Sequence, residues 1–160
     1  MLGRLLPGAQ HLQNLHPLVV HFPIAFLYGA ALLYLLAWVA GKEAWAWTAL
    51  WMLALGALSA AVAVGTGLYG APGVMIARSV KAALLVNHKR IMLAVLALSA
   101  LLCAWAAAAR PMPSRGRILF LALLLVLIAG ITVGADFGGR MVYDYNAGGN
   151  ACGQPIEFTH

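Results

Sequence analysis

Four stretches of the chain are apolar almost without a break: about Leu18 to Ala40, Ala44 to Leu68, Ile91 to Ala109 and Ile118 to Ala135. Each is close to the roughly 20 residues that cross about 30 Å of hydrocarbon as a helix. Lipid offers no hydrogen-bond partners, so every amide in such a run must be satisfied inside its own segment, and only helices do that without a closed barrel. The pattern predicts an all-α fold, an integral membrane four-helix bundle running up-down-up-down with both termini on the same side. Residues 17–140 form the transmembrane domain. An amphipathic lead-in, 1–16, precedes it, and a polar tail, 141–160, follows.

Polar residues mark the turns. Gly41-Lys42-Glu43 is a tight link between the first two runs, typical of antiparallel neighbours. Trp38, Trp45, Trp47 and Trp51 gather there, with Trp105 at the same level, as an interfacial aromatic belt. The connection from Ala71 to about Ala82 is the longest internal loop, and Arg110–Arg117 is a turn-rich basic loop. Pro17 and Pro23 stand at the head of the first run, so its helix either starts near Phe22 or kinks there. Asp136 and Arg140 are spaced for an i,i+4 ion pair. Tyr28, Tyr34 and Cys103 read as core residues. No internal repeat is visible.

Composition sharpens this picture. Charged residues are 9% and hydrophobic ones 64%, against about a quarter charged in soluble domains. The formal net charge of +6 would suggest an acidic partner in a soluble protein, but these basic residues flank helices, where lipid headgroups account for them. Nucleic acid is therefore not an expected partner. Arg4, Arg78, Lys81, Lys89, Arg90 and Arg140 lie on the terminal side, and Lys42, Arg110, Arg115 and Arg117 on the other. The compact Arg110–Arg117 loop favours placing that side in the cytoplasm and the termini outside. Cys103 and Cys152 are too far apart along this topology to pair, and no C-x-x-C-H haem-attachment motif is present.

The candidate chemistry rests on histidines. His16 and His21 lie at the mouth of the first run and His88 at the mouth of the third, on the same side of the bundle. His21 precedes Ala40 by 19 residues and His88 precedes Ala109 by 21, which at 1.5 Å per residue is roughly 28 and 32 Å. Matched depth on different helices suits two axial ligands of one haem iron. The expected ligands are His21 and His88, with His16 the alternative on the first helix. Arg78, Lys81, Lys89 and Arg90 are candidate partners for propionates or another anion. Gly130, Gly134 and Gly138 recur every four residues and would let a flat macrocycle approach, although such a stripe is more often a helix-packing face. Gly65, Gly67 and Gly70 do something similar at the end of the second run. No hydrolase or kinase constellation appears.

These residues resemble a family of small bacterial membrane proteins known only as a domain of unknown function, number 2231. The resemblance rests on His16-Pro17-Leu18-Val19-Val20-His21-Phe22-Pro23-Ile24-Ala25, Thr66-Gly67-Leu68, His88 and Gly138-Gly139-Arg140-Met141-Val142-Tyr143. It covers nearly the whole chain and implies a four-helix membrane domain. Relatives are sometimes joined to cytochrome c-like domains, which implies electron transfer and a periplasmic tail. The tail departs from the family pattern after Tyr143, reading Asp144-Tyr145-Asn146-Ala147-Gly148-Gly149-Asn150-Ala151-Cys152 where a glycine- and valine-rich stretch is usual.

The leading expectation is a multi-pass b-type cytochrome-like subunit of the bacterial inner membrane. It would hold haem b between helices one and three and pass electrons within a larger membrane redox complex or to a periplasmic cytochrome. Electron transfer or accessory function is favoured over catalysis. The alternative is a cofactor-free accessory subunit of a respiratory or redox complex. A third reading is a divalent-metal site formed by His16, His21 and His88.

Overall fold

The computed structural model describes residues 15–74 and 76–147, and among them it is all helical. The lead-in (except Leu15 and His16), most of the tail and Cys152 fall outside the described residues. Four long helices are apolar enough to cross a membrane: α1 (His16–Ala40), α2 (Glu43–Gly70, followed by a 3-10 turn, Ala71–Gly73), α3 (Arg78–Ala109) and α4 (Arg117–Tyr143). They pack in a ring, α1 on α2, α2 on α3, α3 on α4 and α4 back on α1, so α1 faces α3 across the centre. The α1–α4 seam is the thinnest of the four.

Two helices begin earlier than the apolar runs suggest. In α1 the segments His16–Val19 and His21–Ala40 run on through Val20, which keeps helical torsions (φ −61°, ψ −23°). Pro17 occupies the first turn, where a missing amide costs nothing. Pro23 cannot donate to the Val19 carbonyl, and the next bond, Ile24 N to Val20 O, is long at 3.5 Å. The helix loosens there but does not stop. Likewise α3 starts at Arg78, so the expected loop to Ala82 is shorter and His88 lies about ten residues inside a helix. That helix contains a π segment, Lys81–Leu85, and Asn87 Nδ2 donates to the Ala83 carbonyl within it at 2.8 Å.

At the loop end the core is aromatic. Tyr34 is fully buried and donates from its hydroxyl to the Pro111 carbonyl at 3.1 Å. Phe120 stands edge-on to Tyr34 (5.0 Å) and to Trp105 (5.6 Å). Gly41 (φ 64°) turns the chain between α1 and α2, and Lys42 lies over the Trp45 ring at 5.0 Å. Trp38, Trp47 and Trp51 are exposed at this level, as an interfacial belt requires. Further along, small residues bring helices together: a methyl on Gly56 would lie 2.5 Å from Leu27 Cδ2. Tyr28 is half-exposed and not core, and it spans the thin seam to bond Thr132 on α4. Arg140 pairs with Asp144 (3.5 Å), not with Asp136 as the spacing suggested, and both partners are about half exposed.

Candidate functional site

At the terminal end the helices line an open-sided cavity of about 430 Å³. Its wall is apolar except for His16, His21, His88, Lys89 and Tyr143. Such a volume lies within the ordinary range of small-molecule and cofactor sites.

His16 and His88 meet across this space. Their ring centroids are 6.2 Å apart and the planes are inclined at 81°. Each ring is tethered to the helix that follows its own in the chain. His16 Nδ1 lies 2.9 Å from the Ala63 carbonyl and 3.3 Å from Thr66 Oγ1 on α2. His88 Nδ1 lies 2.7 Å from the Gly134 carbonyl on α4. A carbonyl only accepts, so both Nδ1 atoms must carry the proton, and Nε2 is the nitrogen through which either ring can ligate. The Thr66 hydroxyl donates backwards to Val62 and Ala63 (3.0 Å each), which turns a lone pair towards His16.

Glycines make room for both rings. A methyl on Gly67 would lie 2.9 Å from His16 Cε1, and one on Gly138 would lie 3.3 Å from His88 Cε1. The expected glycine stripe therefore has two roles. Gly138 seats an imidazole, whereas a methyl on Gly130 would lie 3.1 Å from Val95 Cγ2, and Gly134 makes room for Met92 while lending its carbonyl to His88. Gly65 faces open space.

The pairing differs from the sequence expectation. His88 faces His16, and His21 is an exposed residue on the rim of the same cavity. The reason is angular. Five residues turn a helix by about 500°, so His16 and His21 point roughly 140° apart and cannot both face the centre. Depth was a weak discriminator, because shifting from His21 to His16 changes it by only about 7.5 Å. Among the described residues no three of His, Cys, Asp or Glu come together, so the three-histidine divalent-metal site is not formed. Of the basic candidates only Lys89 lines the cavity; Lys81 is half-buried elsewhere, and Arg78 and Arg90 are exposed outside its wall. The Ala63 and Gly134 carbonyls were not legible in the sequence, since every residue has one. Gly67 and the Thr66 hydroxyl were within reach, as they belong to the Thr66-Gly67-Leu68 motif.

No curated protein and no solved structure matches the chain. The family described as predicted membrane protein, domain of unknown function 2231, matches residues 12–151, a span that holds all four helices and both tethered histidines, and the chain belongs to that family.

Proposed function

We propose that this protein is a haem b-binding electron-transfer subunit whose axial ligands are His16 and His88. One observation carries the reading: the separation and mutual inclination of these two imidazoles. Two imidazoles that shared one metal through a ring nitrogen each would have their centroids about 6 Å apart. The rings stand 6.2 Å apart. Their Nδ1–H groups are committed to backbone carbonyls, as ligating histidines commonly are, and this fixes tautomer and ring orientation. The wall is largely apolar, and Lys89 is a cation among its lining residues that would suit a propionate. Bound there, the group supplies a one-electron redox centre.

The site lies towards one end of the bundle, so it cannot carry electrons across the bilayer alone. A larger membrane redox complex, or a periplasmic cytochrome, is the fitting partner. We place the protein in a bacterial inner membrane with its termini periplasmic, on the ground that the short Arg110–Arg117 loop suits the cytoplasmic face.

The test is a reduced-minus-oxidised visible spectrum of the detergent-purified protein, with a pyridine haemochrome assay. A six-coordinate b-type spectrum with one haem per chain is expected. His16→Ala and His88→Ala should each abolish six-coordination, and His21→Ala should leave it intact. Colourless protein from haem-replete cells would sink the proposal. A second reading would then take over, that of a cofactor-free accessory subunit. It draws on the same hydrogen bonds, since each histidine already clips two helices together without any ligand. Such a protein should copurify with a membrane partner.

A further inference from the structure

The environments of His16 and His88 match more closely than a bundle requires. His16 donates to the carbonyl of Ala63, and the glycine under its ring is four residues on, at Gly67. His88 donates to the carbonyl of Gly134, and the glycine beside its ring is also four residues on, at Gly138. The chain separation between histidine and carbonyl is 47 residues in one case and 46 in the other.

The core repeats in the same register. Buried Pro23, Leu27, Ala30 and Tyr34 of α1 correspond, 72 positions later, to buried Val95, Ser99, Leu102 and Ala106 of α3. That is also the offset from His16 to His88. Buried Ala49, Leu53, Gly56, Ala60 and Ala63 of α2 correspond, 71 positions later, to buried Phe120, Leu124, Leu127, Ile131 and Gly134 of α4. The register fails at both ends of the core: near the loops Ala37 and Ala46 are buried whereas Ala109 and Arg117 are not, and at the terminal end Ala71 is buried whereas Val142 is exposed, and Met141 is buried whereas Gly70 is only partly so. Core spacings of three and four occur in any bundle, so burial alone would mean little. Here the same offsets also carry the imidazole, its carbonyl acceptor and its glycine.

We infer that the chain is two equivalent helical hairpins in tandem, and that the cavity's ligand sits on the axis relating them, gripped by one imidazole from each, His16 seated on Gly67 and His88 seated on Gly138. In an up-down-up-down bundle an axis that carries α1 onto α3 and α2 onto α4 runs along the membrane normal, as in other parallel repeats. The midpoint between equivalent histidines lies on that axis. The ligand class is a metal centre that would take one imidazole from each hairpin; its identity as haem iron rests on the function proposed above. Gly67 and Gly138 are positioning residues, equivalent in role.

The experiment uses the full chain, labelled with 15N-histidine, in detergent and under reduction. Low-spin ferrous haem is diamagnetic, so the spectra can be read with or without it. Two exchange-protected Nδ1–H protons are expected, one from His16 and one from His88, and none from His21. Gly67→Val should remove the first and leave the second, Gly138→Val the reverse, and Gly65→Val neither. If haem is bound, both seat variants should weaken it about 10- to 100-fold, the usual cost of losing the groups that orient a ligand. The corresponding alanine variants serve if a valine protein fails to accumulate. A protected proton on only one of the two histidines, or both lost in a single seat variant, overturns the equivalence even in a coloured protein. Two protected protons with the predicted variant pattern in a colourless protein uphold it while removing the haem reading.

Discussion

Tyr34 is the largest fully buried side chain among the described residues, and its hydroxyl ties α1 to the carbonyl of Pro111 in the basic loop. Phenylalanine fits the same space but leaves a buried carbonyl without that donor. Tyr34→Phe should therefore cost about 1–3 kcal/mol of stability, measured by unfolding in dodecyl sulfate mixed micelles. Gly56 acts through what it lacks. An added methyl would sit 2.5 Å from Leu27 Cδ2 and 3.3 Å from the Leu27 backbone nitrogen, and the backbone cannot yield as a side-chain end can. Gly56→Ala should cost about 1–3 kcal/mol by overpacking, despite its better helix propensity. An unchanged unfolding midpoint would mean that α1 and α2 separate there without penalty. Neither contact was legible beforehand, because a tyrosine or a glycine within an apolar run has no distinguishing mark until its neighbours are known.

At the scale of elements, the helices differ in how firmly they are joined. The α1–α2 pair is packed along its length through small residues, while α1 and α4 share the thinnest seam. The bond between Tyr28 and Thr132 crosses that seam, and the Thr132 hydroxyl also donates to Ile128 at 2.8 Å. Interhelical hydrogen bonds in membranes average about 0.6 kcal/mol and reach about 1.7. Thr132→Val should fall in that range, with a larger share of the bond's value because little else holds this seam. The readout is the same micellar unfolding, and Thr48→Val is the control, since its hydroxyl bonds only within its own helix. Helix number and type were evident from run length. Helix starts were not, because α1 and α3 extend past their apolar runs through prolines, cations and a π segment that hydropathy does not register.

For the whole molecule, up-down-up-down topology puts the loop between α3 and α4 on the opposite membrane face from the connection between α2 and α3. Ser114 and Ser79 are exposed at these two places. In a chain with Cys103 and Cys152 replaced by alanine, Ser114→Cys should react with an impermeant maleimide only from the face closed to Ser79→Cys. With termini outside, Ser79→Cys is the one labelled in intact cells. Labelling of both from the same side would contradict the four-span arrangement, and labelling of Ser114→Cys alone would reverse the orientation. The aromatic belt is on the same side as Ser114, so brominated headgroup-proximal lipids added to that leaflet should quench most of the tryptophan emission.

The amino-acid sequence by itself determined that this is a four-helix membrane protein with His16, His21 and His88 at one end. Lipid forces that outcome: spans must be helical, their length is countable, and turns and charges mark where each stops. Only the tertiary structure decided that His16, not His21, faces His88. A helix apolar on nearly all sides carries no stripe that fixes its rotation, so the rotation is set by how neighbouring helices fit. The internal correspondence of the two hairpins was hidden for a related reason. It is kept in which positions are buried and which carbonyls receive an imidazole, while the residues themselves differ, with Ala49 matched to Phe120 and Gly56 to Leu127. Packing conserves the shape of the whole and leaves single side chains free to trade volume across the axis.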